Sequence, residues 1–68
     1  MKISARNTLK GNIVEIVKGA TTSHVRIDIG GAVVTASITN EAVAELGLQA
    51  GKQAYAVIKA SDVMVGID

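Results

Sequence analysis

Two short polar runs near opposite ends of the chain hold the residues best suited to chemistry: Ser4-Ala5-Arg6-Asn7 and Lys59-Ala60-Ser61-Asp62. Arg6 offers a planar guanidinium fork and Lys59 an ammonium point charge, while Ser4 and Ser61 add hydroxyls. Ala5 and Ala60 are small, so a ligand can approach the backbone N–H groups beside them. Thr39 brings a third hydroxyl where a helix is expected to begin, and helix N-termini attract anions. The runs contain no carboxylate until Asp62. A set of donors without acceptors suits a small tetrahedral dianion bound through charge-assisted hydrogen bonds. It also discriminates, because hydrogen phosphate carries a proton that needs an acceptor, whereas molybdate, tungstate and sulfate only accept at neutral pH. Each residue taken singly has a plainer reading: Arg6 and Lys59 as solvated charges, the serines as edge-strand residues, Thr39 as a helix cap.

Other chemistries find less support. His24 is the lone imidazole and opens an alternating strand, so it reads as a solvated strand residue rather than a catalytic base or metal ligand. Glu15, Asp28, Glu41, Glu45, Asp62 and Asp68 are scattered and give no pair of carboxylates in one pocket. The glycines match neither the P-loop nor the dinucleotide fingerprint. An enzyme is not expected. A formal net charge of +1 and a single aromatic, Tyr55, give neither the cationic groove nor the stacking platforms of a nucleic-acid binder. Cys is absent, and no run approaches the length of a membrane span or the pattern of a signal peptide. The expectation is a cytoplasmic protein without disulfides, membrane contact or nucleic-acid partner.

The elements that must position the two runs follow from pattern. At 68 residues the chain is one domain, 1–68, and one this size buries only about 60% of its unfolded surface. Nearly half of it is apolar yet lacks Phe and Trp, so a homo-oligomer is expected to hide part of that surface. Turn signals fall at Lys10-Gly11, Lys18-Gly19, Gly30-Gly31, Gly47 and Gly51. Between them, strands are expected at 12–17, 24–29, 32–38 and 53–58, with a last short one at 63–65. Along 32–38, Ala32, Val34, Ala36 and Ile38 share one face. Thr39 or Asn40 caps a helix over Glu41–Leu46 that ends at Gly47, its buried stripe supplied by Val43 and Leu46. Four or five short strands with one short helix make an all-β chain, laid out as a small OB-like Greek-key barrel.

The quoted residues also carry a family resemblance. Ile3-Ser4-Ala5-Arg6-Asn7 with Leu9-Lys10-Gly11, Val34 to Thr39, Leu46-Gly47-Leu48 with Gly51, and Val57 to Val63 closely resemble the molbindins. These are small molybdate-binding proteins made of a single Mop domain, a module also found in molybdate-responsive regulators and importer ATPases. The resemblance spans essentially the whole chain. It implies the free-standing binding protein, storing or buffering molybdate or tungstate with no organic cofactor and no chemical conversion. It further implies strand exchange into dimers, a hexamer built as a trimer of dimers, and oxyanions held at subunit interfaces. On that model Ser4, Ala5, Arg6, Lys59, Ala60 and Ser61 form the main site, with Thr39 from a neighbouring subunit. Some relatives carry Ser three residues after that Thr; here the position is Ala42. A second oxyanion position is expected near Lys18-Gly19-Ala20, where a glycine turn could offer amides. The competing readings are a structural or interaction module that binds no anion, and a nucleic-acid-binding OB-type barrel.

Overall fold

The computed structural model describes all 68 residues. Four strands run at β1 (Asn7–Lys18), β2 (Thr22–Asp28), β3 (Val33–Thr39) and β4 (Gln53–Ile58), and the seven-residue helix α1 (Asn40–Leu46) lies between β3 and β4. A 3-10 turn follows at Ala60–Asp62. All pairings are antiparallel, in the order β3-β2-β1-β4. Two successive hairpins thus lead to a long return, through α1, that lays β4 beside β1. That is Greek-key order.

The hairpin between β2 and β3 turns at Gly30-Gly31, both at positive φ, a geometry that side chains with a Cβ resist. The Asp28 Oδ1 accepts from the Gly30 amide at 2.9 Å, and the Ile29 amide donates to the Ala32 carbonyl at 2.9 Å. In β2, Val25 and Ile27 are buried while His24, Arg26 and Asp28 face water; in β3, Val34, Ala36 and Ile38 turn inward. The alternation of the sequence is the alternation of the sheet.

β1 departs from expectation. It begins at Asn7, five residues before Asn12, and runs straight through Lys10-Gly11, which is not a turn. Gly11 is there because β2 crosses close by. A Cβ on Gly11 would press into the Asp28 carbonyl and come within 2.9 Å of Ile27 Cγ2. Glycine inside a strand marks such a close approach. A β-bulge between Ile13 and Glu15 leaves Val14 opposite no partner. It shifts the inward parity from Ile13 to Ile16 and turns Glu15 outward, where its Oε1 meets Arg26 Nη1 at 3.3 Å. Bent at this point, β1 pairs with β4 through Asn7–Asn12 and with β2 through Asn12–Lys18.

The core is small: Ile13, Val25, Ile27 and Ala56, with the buried hydroxyl of Ser23. Two further expectations are corrected here. Leu46 is not part of a buried helix stripe but 69% exposed, while Asn40, Ala42 and Val43 are the half-buried residues of α1. Residues 63–65 form no strand in the single chain. Both follow from one cause. The sheet curls as an OB-like barrel does, but β3 and β4 remain unpaired edges. Leu46 borders the apolar groove between them, with Ile38, Leu48, Ala54 and Tyr55, and Val63–Ile67 have no partner strand.

Candidate anion-binding site

The β1–β4 ladder brings the two polar runs together. Its pairs proceed from Asn12↔Gln53 to Asn7↔Ile58, every pair summing to 65. One further step sets Arg6 against Lys59, then Ala5 against Ala60 and Ser4 against Ser61. The two runs are mirror images across the antiparallel register. The ladder stops before that step, and the charges explain why: like charges directly opposite destabilise a strand pair.

Beyond Asn7 and Ile58 the walls part and bound an open cleft of about 530 Å³ lined by Ile3, Ser4, Ala5, Arg6, Lys59, Ala60 and Ser61. Six expected site residues of the single chain therefore line one cavity. The route differs from strand alternation. Ser4 and Arg6 lie in an irregular segment ahead of β1, and Lys59 caps the 3-10 turn that carries Ala60 and Ser61. In that turn the Asp62 amide donates to the Lys59 carbonyl at 2.9 Å, and the Val63 amide to the Ala60 carbonyl at 3.3 Å. No such bond takes the amides of Ala60 and Ser61, which remain free to donate into the cleft.

Neither cation of the cleft has a carboxylate partner, since the single ion pair of the chain is Arg26–Glu15 on the far side of β1. Two unpaired positive charges, two hydroxyls and free amides line it with no carboxylate among them. The arrangement can neutralise and orient a dianion. No group of three or more His, Cys, Asp or Glu side chains that could hold a metal ion occurs in the structure.

Thr39 sits elsewhere. It ends β3, at the opposite edge of the sheet from β4, and caps α1: its Oγ1 accepts from the Ala42 amide at 3.0 Å. The hydroxyl proton remains free to donate outward. Ala42 thus supplies the amide that fixes the Thr39 rotamer. The turn at Lys18-Gly19-Ala20 is also outside the cleft. There the Gly19 amide donates to the Thr22 carbonyl at 2.8 Å, and Asn40 Nδ2 donates to the Gly19 and Ala20 carbonyls at 3.1 and 3.4 Å.

A TOBE-domain model matches residues 3–65. A probable molybdenum-pterin-binding protein of Haemophilus influenzae is 54% identical over 69 residues, covering all of both chains. The chain belongs to the Mop family of TOBE-domain proteins. Among solved structures, a molybdate-binding protein from Sporomusa ovata superposes with a TM-score of 0.92 at 39% identity, over 98% of this chain and all of that one. The cytoplasmic molybdate-binding protein ModG, solved with molybdate bound, gives 0.93 at 45% identity over all of this chain and 49% of its own. The Mop fold is OB-like, in accord with the curled Greek-key sheet.

Within this Mop domain, two side-chain hydrogen bonds escape sequence reasoning. Asn7 donates from Nδ2 to the Ile58 carbonyl at 3.2 Å, joining the strands that lead into the two walls. Asn40 joins α1 to the 19–21 turn and accepts at Oδ1 from the buried Ser23 hydroxyl at 2.6 Å. Their partners lie 51 and 17 residues away. No local pattern signals them.

Proposed function

We propose that this protein binds molybdate or tungstate as the intact oxyanion, at interfaces within a cytoplasmic homo-oligomer, and stores or buffers it without converting it. The observation that carries the reading is the pair of unpaired cations, Arg6 and Lys59, facing one cleft with hydroxyls, free amides and no carboxylate. The names of its Mop-family relatives agree with it.

The cleft is open and far larger than one tetrahedral ion, so the ligand shell is incomplete within one chain. Thr39, on the other edge of the sheet with its proton free, completes it from a neighbouring subunit. The same assembly covers the apolar groove between β3 and β4 and pairs the extended Val63–Ile67 segment, which exposes more than nine-tenths of Met64, Val65 and Ile67 in the single chain. Strand exchange between two copies does both at once, and a trimer of such dimers gives the hexamer. A second anion position at Lys18-Gly19-Ala20 relies on the Lys18 ammonium and the Ala20 amide, because the Gly19 amide is already engaged.

Metal analysis of the protein purified after growth with molybdate, joined to native mass spectrometry with and without the ion, tests the reading. Molybdenum retained by a multimer is expected. A multimer that retains none under any loading identifies a structural module instead.

A further inference from the structure

The sequence leaves Asn7 without a part in the donor cradle, and the structure supplies one. Asn7 and Ile58 form the last pair of the β1–β4 ladder, directly before the two walls separate. There the half-buried Asn7 side chain donates from Nδ2 to the Ile58 carbonyl at 3.2 Å. It is the only side-chain hydrogen bond that joins the strand leading to Ser4-Ala5-Arg6 with the strand leading to Lys59-Ala60-Ser61. The next step of the register opposes Arg6 to Lys59, and their repulsion pulls the walls apart when no anion lies between them. A clip is needed at that rung. We propose that Asn7 is a positioning residue for the anion cleft, fixing how its two walls stand to one another where they part.

Such a clip acts on geometry rather than charge. Its loss leaves both cations in place, so general attraction for dianions survives while the fit that separates ions of different size weakens. The inference rests on the anion reading of the cleft and makes a distinct claim within it. Asn7→Leu keeps the branched shape and removes the amide; Asn7→Gln keeps an amide donor on a longer arm. Titration calorimetry with molybdate and, separately, sulfate is run on the intact oligomer of each variant, with subunit number checked by native mass spectrometry.

For Asn7→Leu, molybdate affinity is expected to fall by about five- to tenfold. The ratio of molybdate to sulfate affinity falls with it, subunit number stays unchanged, and Asn7→Gln recovers most of the loss. Unchanged molybdate affinity in Asn7→Leu overturns the inference. So does an equal fall for both ions, or a fall that accompanies dissociation, since either marks a purely structural bond. A wild-type protein that binds neither ion overturns the reading of the cleft itself, and is distinguished from these outcomes by the unmutated control.

Discussion

Arg6 and Lys59 face one cleft without counter-charges, and this makes their separate contributions measurable. Arg6 presents a fork that can donate two parallel hydrogen bonds to one oxyanion, whereas Lys59 acts as a point charge. Arg6→Ala is expected to lower molybdate affinity at least about tenfold, roughly 1.4 kcal/mol, with the oligomer intact; calorimetry that shows no change removes Arg6 from the site. Lys59→Gln should lower affinity and also flatten its dependence on salt, because one of the two cations screened by ions is gone. At Gly11 the effect is on folding. The Cβ of Gly11→Ala meets the Asp28 carbonyl, which belongs to the backbone and cannot turn aside. An overpacking cost of roughly 1–3 kcal/mol is expected, seen as a lower denaturant midpoint.

The elements work in pairs. β1 bends around Gly11 and the bulge at Val14, so it pairs with β4 at one end and with β2 at the other. The β4 end delivers the cleft. The β2 end delivers the turn that Asn40 ties to the start of α1, and with it the position of Thr39. Asn40→Ala strips the buried Ser23 hydroxyl of its partner and frees two turn carbonyls. A buried polar group left unpaired costs about 1–3 kcal/mol, so urea denaturation should show a loss in that range. Thr39→Val removes both the helix cap and the outward-facing hydroxyl. It should weaken anion binding in addition to costing about 1 kcal/mol of stability; a variant that loses stability and keeps full affinity leaves Thr39 a cap and nothing more.

For the whole molecule, the decisive quantity is how little one chain buries. Five residues of 68 are fully buried, while Met64, Val65 and Ile67 lie almost wholly in water beside an open apolar groove. Apolar surface of that extent is stable only when covered. Ending the chain after Asp62 leaves all seven residues that line the cleft and removes the exposed segment. On the proposed assembly, in which the site closes between subunits, the truncated protein should sediment as a smaller species, unfold at lower denaturant and lose anion affinity. A truncated chain that assembles normally removes the C-terminal segment from the interface.

Much of this architecture is legible in the order of residues. β2, β3, the β4 span 53–58, the helix and its Gly47 stop obey local rules of alternation and capping, which need only neighbours a few positions apart. The donor character of Ser4-Ala5-Arg6 and Lys59-Ala60-Ser61 is likewise local chemistry, and so is the absence of a carboxylate among them. What the tertiary structure alone decided is where these pieces meet. Gly11 looks like a turn until β2 passes beside it. Ser4 and Ser61 read as edge-strand residues until the ladder ends at Asn7 and Ile58. Asn7 looks idle and Asn40 looks like a helix cap until partners 51 and 17 residues away arrive. Local preference is written within a few residues, but contact across a curled sheet depends on register, and register exists only once the strands have paired.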